Sequence, residues 1–209
     1  MSIERGYACA ALAIALMAAA IARSAPLRGE DPDWPCQQRL VSKLAAAAYW
    51  AGGPLGEVGE WQADPEIADL VRRLAPRGVS TEEGLAQIGA FAGGLSRDRS
   101  RRLALAFHGL LEETDRQRAA LIERLKQIGR RQRELADLVA RLAEELSSIP
   151  PDATGEATAT RADLQQRHDF TARSFEKIQR TIRYACEAPV ELDARLGAWA
   201  RALQSAASQ

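Results

Sequence analysis

Between residues 97 and 148 nothing interrupts a helix except two isolated glycines, Gly109 and Gly129. At 1.5 Å per residue such a rod runs roughly 75 Å, well beyond the width of a small domain. A helix that long needs a partner, because helical stability comes mainly from packing an apolar stripe. The stripe is present. From Leu121 the positions step by four and three through Leu125, Ile128, Gln132, Leu135, Val139, Leu142 and Leu146. That stepping is the seam of a coiled coil, with Gln132 as its one polar member. Arg, Lys, Glu, Gln and Ala fill most positions between. The charge run therefore reads as the solvated side of a rod and not as a binding patch.

The partner follows in the chain. Pro150, Pro151, Asp152, Thr154 and Gly155 make a turn. After it the same stepping resumes in Leu164, His168, Thr171, Phe175, Ile178, Ile182 and Ala185. Layers of two antiparallel helices pair when their residue numbers sum to a constant. A constant of 310 pairs Leu146 with Leu164, Leu142 with His168, Val139 with Thr171 and Leu135 with Phe175. It also pairs Ile128 with Ile182 and Leu125 with Ala185. Its midpoint is Gly155, inside the turn that composition selects independently. The expectation is an antiparallel coiled-coil hairpin over about residues 111–186, with its loop near 148–160.

The remaining segments predict a small helical base, residues 34–110 and 187–207. A first helix is expected from Cys36 to about Trp50, entered through Pro35 after Asp33 and Trp34 and carrying Leu40 and Leu44. Gly52, Gly53 and Pro54 end it, and residues 52–63 form a glycine-rich loop with Trp61. Asp64 and Pro65 are an N-cap and first-turn pair ahead of the stripe Ile67, Leu70, Val71 and Leu74, stopped by Pro76 and Gly78. Ser80 with Glu83 three residues on reads as a capping box. The buried face expected of that helix is Leu85, Ile88, Phe91 and Leu95, with a break at Gly93 and Gly94. Pro189 is expected to end the returning helix, and a last helix carries Leu192, Leu196, Trp199 and Leu203. The fold class is all-α: a two-helix hairpin projecting from a base tied by one disulfide.

The start of the chain predicts export. Arg5 precedes an unbroken run of small and apolar residues from Ala8 to Ala22, shorter than the roughly 20 that a membrane span needs. Residues 1–22 read as a signal peptide cleaved after Ala22, or after Ser24. The alternative is an uncleaved anchor, the one route to membrane association. Residues 23–33 read as a flexible lead-in. Cys9 would leave with the signal, and it precedes the apolar run instead of following it, a poor position for lipidation. Cys36 and Cys186 then form an even pair in a chain bound for an oxidising compartment, which predicts a disulfide between them. Closing so long a loop stabilises by roughly 4–5 kcal/mol in the chain-entropy model. A redox-active pair is the alternative, but it would want a Cys-x-x-Cys spacing.

The 28 Lys and Arg against 28 Asp and Glu argue against nucleic acid as a partner. No phosphate-binding glycine loop, H-E-x-x-H or G-x-S-x-G is present. The two histidines, His108 and His168, have no paired spacing for a metal, and His168 at a seam position would sense pH if buried. No catalytic residue, cofactor or metal is expected, and the chain does not read as an enzyme. Trp34, Trp50 and Trp61 gather in the N-terminal part, and Arg97, Arg99, Arg101 and Arg102 form a short basic cluster. Packing and solvation account for both sets; a partner surface is the functional alternative. The leading function is an interaction or scaffold role through the arm, with a protein partner or self-association. A peptide or small-molecule module using the Trp-rich base is second.

Two segments carry a resemblance: DWPCQQRLVSKL over Asp33–Leu44 with YWAGGP over Tyr49–Pro54, and YACEAPVELDARL over Tyr184–Leu196. They resemble the cysteine-bearing ends of a family of uncharacterised exported helical proteins of Gram-negative bacteria, with a DWPC motif and a C-terminal YxCExP motif. The resemblance spans the chain from Asp33 through the last helix. It implies a periplasmic helical protein with Cys36 and Cys186 as paired positions, and it carries over no catalytic residue. Gly52–Gly53 departs from a tighter W-A-G-P turn.

Overall fold

The computed structural model describes residues 31–51 and 59–209. The expected signal peptide, Cys9, most of the lead-in and the glycine loop at 52–58 lie outside those residues. Among the described residues the secondary structure is helical, without strands. Five helices follow one another: α1 (Pro65–Leu74), α2 (Thr81–Gly94), α3 (Arg99–Ser147), α4 (Glu156–Ala185) and α5 (Glu187–Ala207). Among the described residues two single 3-10 turns, Ala46–Ala48 and Trp61–Ala63, precede them.

Local chemistry explains the helix starts. The Asp64 carboxylate accepts from the N–H groups of Glu66 and Ile67, and Pro65 opens the first turn of α1. Ser80 Oγ accepts from Glu83 N–H at 3.1 Å, capping α2. The predicted stripe of α1 is buried throughout, as is the Leu192, Leu196, Trp199, Leu203 stripe of α5. These residues meet Leu103, Phe107 and Leu110 of α3 in the main core, with α5 packed between α3 and α2.

The buried face of α2 is only partly the predicted one: Ile88 and Leu95 are buried as expected, but Leu85 and Phe91 are not. Gly84, Ile88 and Ala92 face inward, while Leu85 is exposed and Phe91 only half-buried. The cause is Trp199. Its indole lies against the Gly84 backbone, where any Cβ would overlap it, and Nε1 donates to Thr81 O at 3.1 Å. A small residue facing a large one turned the helix about one position away from the face that hydrophobicity marks.

α3 is 49 residues long, about 74 Å. α4 runs antiparallel to its second half. Arg161, near the start of α4, donates to Leu146 O at 3.0 Å and Ile149 O at 2.6 Å, tying the start of α4 to carbonyls at the end of α3. At the far end of α4, Ile182 shares an apolar cluster with Leu125 and Ile128. Every position of both predicted seams is buried or half-buried. Gly155, at φ 67, turns the chain into α4. The returning helix ends at Ala185, four residues before Pro189, and α5 starts after Cys186 alone, so Pro189 lies in the first turn of α5.

The expected helix from Cys36 to Trp50 does not form. Residues 31–45 cross α3 as an irregular strap, with one 3-10 turn after them. The strap's polar backbone finds partners outside itself: Leu44 N–H donates to Asp115 at 2.9 Å, and Val41 O accepts from Arg118 at 3.2 Å. Those bonds, and a covalent tie, outweigh the helical propensity of an alanine-rich segment. The tie is the predicted one: Cys36 and Cys186 are disulfide-bonded, with Cα atoms 5.7 Å apart.

Candidate interaction surface

The strap does two things to the two-helix arm. It covers one side of α3 well past residue 110, so the base reaches further along α3 than the sequence boundary. And it ends in a charge clamp. Asp33 takes Arg130 and Arg133, and Asp31 takes Lys126 Nζ at 2.9 Å. Residues 31–33, expected within the flexible lead-in, are therefore held. The Arg130 and Arg133 guanidiniums hold the Asp33 carboxyl below the usual carboxylate range, and Lys126 does the same for Asp31. Close approach is possible because the Asp33 carbonyl sits over Gly129, where a Cβ would collide with it.

The three tryptophans do not form one groove. Trp50 is buried in the main core, stacked on Phe107 with ring centroids 5.1 Å apart. Trp61 lies over Gly109, against which a Cβ would come to 2.8 Å, and its Nε1 donates to Glu112 at 2.7 Å. Trp34 sits in the second cluster beside the disulfide, with Nε1 donating to Gln38 O at 2.7 Å. Each ring fills a different gap between the chain's N-terminal part and α3.

The basic cluster is also divided. Arg102 donates Nε to Asp64 at 2.9 Å and Nη2 to Glu66 at 2.6 Å, with its guanidinium 5.6 Å from the Phe91 ring centre. Burial pushes the Asp64 carboxyl up, but Arg102 and the two capping N–H groups outweigh it and hold it low. Arg99 donates to the carbonyls of Ala92 and Ala206, closing the ends of α2 and α5. Arg97 and Arg101 are exposed. Arg99 and Arg102 are thus structural, since each meets an acid or a carbonyl that the fold delivers to it.

His108 is half-buried with Nε2 3.4 Å from Glu112. His168 is half-buried at its seam position, with Nδ1 3.3 Å from Asp169. Among the described residues no three His, Cys, Asp or Glu side chains gather as a metal site, and no helix is long and apolar enough to cross a membrane.

What composition did not single out are two aromatics on α4. Phe170 is 66% exposed and Tyr184 is 71% exposed. They lie two heptads apart, about 21 Å along the axis and within about 40° of each other around it. Exposed Lys177 falls midway between them on the same side. The seam pattern itself held the signal: each aromatic precedes a seam residue, Thr171 and Ala185, and so falls outside the seam. No protein-family model, curated protein or solved structure matches this chain.

Proposed function

We propose that this chain is a non-enzymatic, exported periplasmic protein that acts as an interaction or scaffold factor through its two-helix arm. The carrying observation is the exposed pair Phe170 and Tyr184 on the otherwise polar outer face of α4. Large aromatics cost free energy when left in water, and they supply most of the energy at protein interfaces when covered. A partner helix laid along α4 would reach both rings and place an acidic group near Lys177, the helix-on-helix mode of recognition. The disulfide suits an oxidising compartment.

The test is capture from a periplasmic extract by the full chain and by the F170A/Y184A double variant, with sedimentation of each to detect self-association. The proposal expects a partner, or a dimer, that the double variant loses while its melting temperature stays unchanged. Equal capture and equal sedimentation by both proteins would overturn it.

A further inference from the structure

Arg118 of α3 lies under the strap, with 6% of its surface exposed. Its Nη2 donates to Val41 O at 3.2 Å, while Nε and Nη1 are buried without a hydrogen-bond partner. The two nearby carboxylates are engaged elsewhere. Asp115 takes the Leu44 N–H, and Asp193 takes the Tyr49 hydroxyl. Neither forms an ion pair with Arg118 within 4.0 Å. A buried guanidinium with two idle donors is costly, because its lost hydration is not replaced.

Beside it is a cavity of about 140 Å³. The charged residues in its lining are Arg39, Arg118 and Asp193, which leave one net positive charge. The rest of the wall is largely apolar, with Leu40, Ile122 and Pro189 among its members. An apolar wall beside a buried guanidinium with two idle donors is the chemistry of a site for a small amphiphilic anion. A space of this size holds about six non-hydrogen atoms.

We propose that the cavity between the strap, α3 and α5 binds a short aliphatic monocarboxylate, its carboxylate on Arg118 and its chain against Leu40, Ile122 and Pro189. The bound acid would bridge the strap to both helices, adding α3 to the strap and the start of α5 that the disulfide already links. Inorganic dianions fit less well, since they would overcharge the lining and waste its apolar wall.

The test is thermal unfolding of the disulfide-bonded chain with sodium butyrate, titrated to about 100 mM because six-atom ligands bind weakly. Butyramide serves as the uncharged control, and sodium chloride and sodium sulfate at matched ionic strength as salt controls. The expected result is a rise in Tm of about 3 °C at roughly ten times Kd, seen with butyrate alone. R118Q should abolish it. So should V190F, which places a ring at the half-exposed rim of the cavity and does not depend on how R118Q folds. No butyrate shift in the parent chain, an equal shift with butyramide or the salts, or a shift retained in V190F would overturn the assignment.

Discussion

The backbone carbonyl of Asp33 rests on Gly129, so the N-terminal strap touches the bare backbone of the longest helix near its middle. Gly129 is one of two glycines in α3, and both have this job: Gly109 seats Trp61 and Val71. Replacing Gly129 with alanine should cost about 1–3 kcal/mol, because the gain in helix propensity is smaller than the forced displacement of the strap. Gly89 of α2 has open space around its Cβ position, and G89A should stabilise by about 0.5–1 kcal/mol. Chemical denaturation of the two variants gives opposite signs if the close approach is real.

Trp199 holds α2 and α5 together. It is 1% exposed, its indole lies on Gly84, and the Arg195 guanidinium sits 4.7 Å from the ring centre. W199A should lose about 3–5 kcal/mol, the range for emptying a large core site. Intrinsic fluorescence during urea unfolding measures it.

The disulfide closes a loop of 150 residues. C36S should lower stability by up to about 5 kcal/mol in the chain-entropy model. Reduction of the parent protein should reproduce the loss, and C36S itself should be insensitive to reductant. Differential scanning calorimetry with and without dithiothreitol checks both.

Acid should loosen the strap before it melts the core. Asp31 and Asp33 both have carboxyls held below their ordinary value by Lys126 and by Arg130 with Arg133. A carboxylate with a lowered folded pKa contributes stability that is complete above the unfolded value, near 3.9, and is lost as pH falls through the folded value. Stability should therefore be flat in this respect above about pH 4 and decline below it. D33N should flatten that acid limb, as read from amide exchange in the strap; an unchanged limb would contradict the clamp.

Much of the arm and of the α1 and α5 stripes was legible because each depends on one local period or one cap. Ile67, Leu70, Val71 and Leu74 repeat at helical spacing, and Asp64 caps them, so no distant residue was needed to read α1. Cys36 and Cys186 were readable by pairing alone. The strap was not. Residues 36–50 have helical composition, and only the acceptor on Asp115, the Arg118 donor and the bond to Cys186 make an irregular path cheaper. The face of α2 was read correctly at Ile88 and Leu95 but not at Leu85 and Phe91, for a related reason: Gly84 looks like a weak helix residue until Trp199 is placed against it. At the candidate surface the clusters in sequence, three tryptophans and four arginines, were separated by the fold. Phe170 and Tyr184, fourteen residues apart, were brought to one side of α4.

The central claim is that a partner covers that side of the arm. The most direct measurement is photo-crosslinking in living cells with a benzophenone amino acid at position 177, between Phe170 and Tyr184. The account predicts one discrete adduct that disappears in the F170A/Y184A background. No adduct at position 177, or one that persists unchanged in that background, would contradict it.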